Sequence, residues 1–301
     1  ATEIVSALGL VESLVGRSHE CDFPRKIRSL PAVTSAAYPE QSSSQETDRT
    51  LRDLLSSGLS PFKANPEILR KLDPDVILTQ DHCDVCAISL ENLRQAAKSY
   101  LDNADANIIS VSPVTLNEIM GSIQTIGNAL DVPDKASALV TELNERLNII
   151  RQTVLGEAKK SVVTLEWISP LMTAGNWVPE LIEIAGGDDL IGIPGGHSPW
   201  IEFEQVREAN PDFLLVMPCG YTIQHAANEL DTLTQLEGWQ ELKAVREEQV
   251  YLLDGNQYFN RPGPRMYDSA RILAEILHPN LFKPLYKGAG WIPAIQTVTA
   301  S

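Results

Sequence analysis

The sequence predicts an α/β protein of two similar lobes bridged by one long helix, and three observations lead there. The first is an internal echo. Pro66-Glu67-Ile68-Leu69-Arg70-Lys71-Leu72-Asp73-Pro74-Asp75-Val76-Ile77-Leu78-Thr79-Gln80 returns as Glu204-Gln205-Val206-Arg207-Glu208-Ala209-Asn210-Pro211-Asp212-Phe213-Leu214-Leu215-Val216-Met217. Each copy reads as a short amphipathic helix, a Pro-Asp turn and an apolar run of strand length. Glu67 and Glu204 both stand seven residues before the turn proline, Pro74 or Pro211. The second observation is a helical pattern from Pro133 to about Leu155, with Leu139, Val140, Leu143, Leu147, Ile150 and Val154 spaced by three and four. It falls between the halves and reads as a stiff connector. The third is size: 301 residues, 43% of them hydrophobic, suffice for two ordinary cores.

Composition narrows the function. A formal charge of −16 and a pI near 4.7 argue against nucleic acid or an anionic membrane as partner, because the summed field repels phosphates. With 21% charged residues and a mean hydropathy of −0.10, a soluble globular chain is expected. No apolar run approaches the roughly 20 residues that span a bilayer. Four cysteines (Cys21, Cys83, Cys86, Cys219) in a chain this long do not make a disulfide scaffold.

In chain order, Ala1 to Leu10 reads as a helix ending at Gly9 with no signal peptide ahead of it; a longer natural chain would carry a strand and any targeting segment upstream. Leu14 to Ser18 reads as a short strand running into the polar loop His19-Glu20-Cys21-Asp22-Phe23-Pro24. Residues 39–50 look like a solvated segment, followed by a helix over Thr50 to Ser57. Beyond the first echo come the loop Asp81-His82-Cys83-Asp84-Val85-Cys86, a helix from Ser89 to Leu101, the strand Ile108 to Val111 and a helix from Thr115 to Leu130. The expected division is 1–132 for the first lobe, 133–158 for the connector, 159–285 for the second lobe and 286–301 for a tail.

The second lobe opens with the strand Ser161 to Trp167. Trp177 to Ala185 reads as a helix stopped by Gly186-Gly187, and Ile191 to Ser198 as a Gly/Pro-rich loop leading to Pro199-Trp200. After the second echo come the Cys219-Gly220-Tyr221 loop, a helix near Leu230 to Glu237, the strand Val250 to Leu253, a loop from Asn256 to Arg265 and a helix from Met266 to Leu277. From Lys287 to Ser301 there is no clear periodicity, and partial disorder is expected.

Several of these features together resemble the vitamin B12-binding proteins of ABC importers, a class III periplasmic binding protein type with a helical backbone. They are the first helix, the two Pro-Asp strands with their upstream glutamates, Thr173-Ala174-Gly175 followed by Leu181 to Gly187, Pro199-Trp200, and Arg261-Pro262-Gly263-Pro264-Arg265. The likeness covers roughly residues 1 to 285, and it lacks the strand that precedes the first helix in that family. It implies a corrinoid, cobalamin first, held in a cleft between the lobes and delivered to an ABC permease, with Glu67 and Glu204 docking on permease arginines. The local alternative for each glutamate is a first-turn carboxylate that complements the helix dipole. The resemblance further implies a periplasmic or membrane-anchored protein, although reduced cysteines would also suit the cytoplasm, and the chain is expected to act as a monomer.

A corrin ring has apolar edges and amide arms, so aromatic faces and scattered hydrogen-bonding groups are expected around it. Trp200 and Trp167 lead the candidates, with Trp177, Tyr221, Tyr258 and Phe259 behind them and Gln80 at the end of the first echo. His19, Cys21, His82, Cys83, Cys86 and Cys219 are soft to borderline donors that could hold a metal ion or iron chelate, or supply an axial ligand to the cobalt of a corrinoid. Cys83 and Cys86 would equally suit a disulfide or inert buried thiols. A thiol-dependent enzyme is the competing class. Neighbouring Cys and His residues point apart in an extended loop, and no phosphate loop, nucleophile elbow or paired zinc-hydrolase histidines occur, so no catalytic residue or catalytic cofactor is expected.

Overall fold

The computed structural model describes residues 1–39, 43–57, 59–80 and 107–294. The chain divides into two compact units, one of residues 1–42, 46–113 and 117–142, the other of 43–45, 114–116 and 143–301. The expected helix from Ser89 to Leu101 and the His82, Cys83 and Cys86 loop lie outside the described residues.

In the first unit, helix α1 (Thr2–Ala7) buries Ile4 and Val5, and Gly9 turns the chain with φ +77°. Strand β1 (Thr34–Ala36) pairs antiparallel with β2 (Phe62–Ala64), and helix α2 (Ser44–Ser56) comes between them in sequence. The first echo folds as helix α3 (Pro66–Leu72) and strand β3 (Val76–Thr79), which pairs in parallel with β4 (Asn107–Ser110). Leu69 packs on Val33, Ala64, Ile77 and Ile108. Helix α4 (Leu116–Ala129) buries Ile119, Ile123 and Ile126, and a Cβ on Gly127 would stand 2.3 Å from Ala136 Cβ, so the next helix approaches closely there.

That next helix, α5 (Pro133–Thr153), is the longest in the described chain, at 21 residues. Ala136, Leu143, Leu147, Ile150 and Val154 are buried, and the division between the units falls inside it, after Glu142.

The second unit is a doubly wound sheet in the order β6-β5-β7-β8-β9. Its strands are β5 (Lys160–Leu165), β6 (Gly187–Asp189), β7 (Phe213–Val216), β8 (Val250–Leu253) and β9 (Trp291–Pro293), with β9 the antiparallel member. Helix α6 (Val178–Ile184) joins β5 to β6, and α7 (Phe203–Ala209), the helix of the second echo, leads into β7. Short helices α8 (Ile223–Asn228), α9 (Leu230–Thr234) and α10 (Lys243–Arg246) connect β7 to β8, a π-helical turn spans Gly255–Phe259, and α11 (Met266–Leu277) follows. Val163, Leu165, Leu214, Val216 and Leu252 sit in one core with Trp239 and Leu233. No helix among the described residues is long and apolar enough to cross a membrane.

Several expectations need correction. Leu14 to Ser18 is no strand: Arg17 makes a single bridge, to Ala32, through Arg17 N–H to Pro31 O (3.0 Å) and Val33 N–H to Arg17 O (2.8 Å). Helix α2 begins at Ser44, six residues before Thr50; Ser43-Ser44-Gln45-Glu46 has the Ser-x-x-Glu spacing of a helix start, a signal that the expectation from Thr50 passed over. The helix expected near Leu230 to Glu237 is α9, shorter at Leu230–Thr234, and α8 precedes it. In the tail, residues 291–293 pair with β8, a strand the sequence did not suggest, and residues 295–301 lie outside the described residues.

Candidate functional site

From β5 the winding goes to β6 on one side and returns to β7 on the other, so it reverses between β5 and β7. In open α/β sheets ligands bind outside the carboxyl ends of the strands at such a reversal. The residues after β5 and β7 are therefore the place to build the site.

Glu166 follows β5 directly. Its backbone N–H donates to Met172 O (2.7 Å), and its carbonyl accepts from Cys219 N–H (2.9 Å) beyond β7. Met172 bridges both Trp167 and Trp200. An arm running from Leu190 to Trp200 lies along residues 173–176 through a ladder of bonds: Ile193 N to Ala174 O (3.0 Å), Gly195 N to Asn176 O (2.8 Å), Asn176 N to Gly196 O (2.6 Å) and Thr173 N to Pro199 O (3.1 Å). Gly175 permits this approach, because a Cβ there would stand 2.5 Å from Ser198 N and 2.6 Å from Gly196 O.

Two carboxyl groups fasten the ends of the arm. Asp189 accepts from Gly192 N (2.8 Å) and Ile191 N (3.3 Å) at its start, while Ser198 Oγ donates to Glu166 Oε2 (2.7 Å) near its finish. Burial pushes the Glu166 carboxyl up to about 8, against the Ser198 hydrogen bond that favours ionisation, with the Asp189 charge adding to the rise. Asp189 is likewise pushed up by burial, to about 6, opposed by its bonds from Gly192, Ile191 and Thr164.

Around this frame stand the aromatic candidates. Trp200 is 52% exposed, an unusual position for an indole. Trp167 is largely buried and meets Tyr221 edge-on, with centroids 5.5 Å apart; its Nε1 has no hydrogen-bond partner among the described residues. Tyr221 donates to Glu229 Oε1 (2.7 Å), and Asn260 Nδ2 donates to Cys219 Sγ (3.0 Å). Trp177 and Phe259 belong to the core, at 4% and 0% exposure, and Tyr258 packs on Tyr286 and Arg265.

The first unit holds another loop of candidates. The Arg17 guanidinium gathers the carbonyls of Ser18 (3.0 Å), His19 (3.2 Å) and Cys21 (3.2 Å), which folds the loop about one cation. His19 Nδ1 lies 2.7 Å from Thr34 Oγ1, and Thr2 Oγ1 donates to Cys21 Sγ (3.0 Å), so the two side chains have separate partners. Gln80 is exposed just past β3. Among the described residues no group of three or more His, Cys, Asp or Glu is arranged to hold a metal ion.

Residues 1–257 match the profile of a family described as periplasmic binding protein. The chain belongs to that family. As a periplasmic binding protein it is similar to the "uncharacterized ABC transporter substrate-binding lipoprotein YvrC" of Bacillus subtilis (strain 168), with 23% identity over 94% of this chain and 78% of that one. It is 24% identical to a vitamin B12-binding protein of Vibrio parahaemolyticus, over 88% of this chain and 82% of that one. Among solved structures, the "periplasmic heme-binding protein RhuT" of Roseiflexus sp. RS-1 superimposes with a TM-score of 0.67 and 21% identity, covering 92% of this chain and 94% of that one. Such a likeness establishes the fold, that of class III periplasmic binding proteins.

In this periplasmic binding protein Trp167 follows β5, Cys219 and Tyr221 follow the neighbouring β7, and Met172 bridges both Trp167 and Trp200. It also supplies residues that sequence reasoning passed over: Glu166, Asp189 and Ser198. A signal for Glu166 existed, since it is the lone charged residue in the strand-like run from Val162 to Trp167.

Proposed function

We propose that this protein is the substrate-binding component of an ABC importer and that its ligand is a corrinoid, cobalamin first. The observation that carries this is the half-exposed Trp200 indole on the Leu190–Trp200 arm, bridged by Met172, which also bridges Trp167 at the winding reversal of the second unit. An exposed indole face suits a macrocycle that has an apolar ring. The similarity to a vitamin B12-binding protein supports the same reading. Binding and delivery, without chemistry, are the proposed activity. Glu67 and Glu204, both exposed in the first turns of α3 and α7, are the proposed contacts for permease arginines, and the protein works on the outer side of the membrane, periplasmic or lipid-anchored.

Haem or another iron chelate is the second reading, favoured by the fold shared with a periplasmic heme-binding protein. Tyr221, Cys219, His19 and Cys21 are the described donors that could address its metal, and His82, Cys83 and Cys86 the remaining ones.

The deciding experiment is a calorimetric titration of reduced, metal-stripped protein with cyanocobalamin, hemin, and zinc and cobalt salts in parallel. One-to-one cyanocobalamin binding that Trp200→Ala weakens supports the corrinoid reading. Hemin or metal binding without corrinoid heat replaces the ligand and keeps the protein class. In that case Cys83→Ser combined with Cys86→Ser tests whether those thiols hold the metal.

A further inference from the structure

We propose that Glu166 is the positioning residue of the ligand site: its carboxyl group holds the Ser198-Pro199-Trp200 segment in the geometry that receives the ligand, and its ionisation releases that segment. The inference rests on the corrinoid-binding reading above and adds to it the group that regulates the site.

Glu166 is the joint of three site segments. Its N–H fixes Met172, which bridges Trp200; its carbonyl fixes Cys219; its side chain fixes Ser198, which is 5% exposed. The residue itself is 3% exposed, so its carboxyl group lies out of reach of direct solvation while the arm is docked. The charged group acting on it from a neighbouring element is Asp189 on β6, at the other end of the same arm, and Ser198 is the hydrogen-bonding group that faces it from the arm. Burial of the Glu166 carboxyl beneath Ser198 favours the docked arm most when that carboxyl is protonated, and in this proposal its charge is relieved by lifting the Ser198 end.

The sign follows from linkage. With the arm docked the Glu166 carboxyl titrates at about 8, against 4.5 for a hydrated glutamate. Docking is therefore strongest below the lower value, weakens by up to about tenfold per pH unit between the two, and levels off above the upper one. Trp200 follows the arm, so ligand capture weakens as pH rises.

The test uses the whole chain labelled with 5-fluorotryptophan, the Trp200 resonance being assigned with Trp200→Phe. Fluorine spectra of ligand-free protein are recorded from about pH 5.5 to pH 9.5, beside cyanocobalamin titrations. The Trp200 resonance of the wild type is expected to move with pH, that of Glu166→Gln to stay at the low-pH position, and that of Ser198→Ala to stay at the high-pH position. The Kd for cyanocobalamin is expected to rise about tenfold or more between pH 6 and pH 9 in the wild type and to remain flat in Glu166→Gln. Identical pH responses in the wild type and Glu166→Gln, or a Trp200 resonance insensitive to pH in both, overturn the proposal. If the resonances behave as expected and no cyanocobalamin binds, the corrinoid reading falls while the positioning role of Glu166 stands.

Discussion

Asp73 and Asn210 hold the same left-handed backbone, φ 41° and ψ 61° in one and φ 40° and ψ 59° in the other, each six residues after the glutamate of its helix. The echo in the sequence is therefore an echo in conformation. Each helix ends on a short polar residue that tolerates positive φ, after which Pro-Asp starts the strand.

Asn210 does two jobs, since its Oδ1 also accepts from Lys243 N–H (2.8 Å). Asn210→Ala loses both the tolerance of positive φ and the acceptor, and is expected to destabilise by about 1–3 kcal/mol in urea unfolding. Asn210→Gly keeps the conformation and loses only the bond, so its loss should be smaller. Equal losses would show that backbone strain plays no part.

The pH profile of stability should lean towards acid. Glu166 and Asp189, raised to about 8 and about 6, contribute stability that is complete below their hydrated values and declines as pH climbs through the raised ones. Asp212 works in the opposite direction: the hydrogen bond from Lys243 holds it down at about 2, so its contribution is present above the ordinary 3.8 and disappears as pH falls below that. Thermal melts across pH are expected to peak between these windows. Glu166→Gln should flatten the alkaline side only, and an alkaline limb unchanged in that variant would contradict the assignment.

Gly175 is a steric prediction with a ligand readout. In Gly175→Ala the added methyl would press on the backbone of Ser198 and Gly196, atoms that cannot rotate away. The arm should shift, weakening cyanocobalamin binding by about tenfold or more while the far-ultraviolet spectrum stays that of the wild type. Undiminished affinity would show that the arm does not set the site.

Glu275 is a structural prediction. Its buried carboxylate accepts from Arg271 Nε (3.2 Å), Leu285 N (3.0 Å), Tyr286 N (3.1 Å) and Trp291 Nε1 (3.0 Å). Removing it in Glu275→Ala strands these donors and the Arg271 charge, for an expected loss of about 3–5 kcal/mol. Amide exchange should quicken first at Trp291 to Pro293; uniform quickening across the sheet would argue against a local tie.

What the sequence made legible was whatever local chemistry specifies. The two echoes, the α5 pattern and the Met266–Leu277 helix carry periodicity and punctuation of their own, and their bounds agree with the structure within a few residues. Strand β6 was illegible, because Gly187-Asp188-Asp189 has neither apolar alternation nor β-branched residues; it is a strand only because β5 lies beside it. Strand β9 escaped notice because Trp291-Ile292-Pro293 is only three residues long and ends at a proline. At the site, Trp200 announced itself by its Gly/Pro-rich approach, whereas Asp189 and Ser198 became meaningful only when the arm folded back along residues 173–176. Contacts between distant segments leave no mark on local composition.

The five-stranded sheet also limits its own growth. Its outer members, β6 and β9, are three residues long, the first bearing Asp188 and Asp189 and the second ending in Pro293, which has no N–H to offer. Short, charged or proline-bearing borders are poor templates for another chain. The long apolar strands Val162–Leu165, Phe213–Val216 and Val250–Leu253 are thereby shielded from intermolecular pairing, which lets a protein accumulate at high concentration without seeding aggregates.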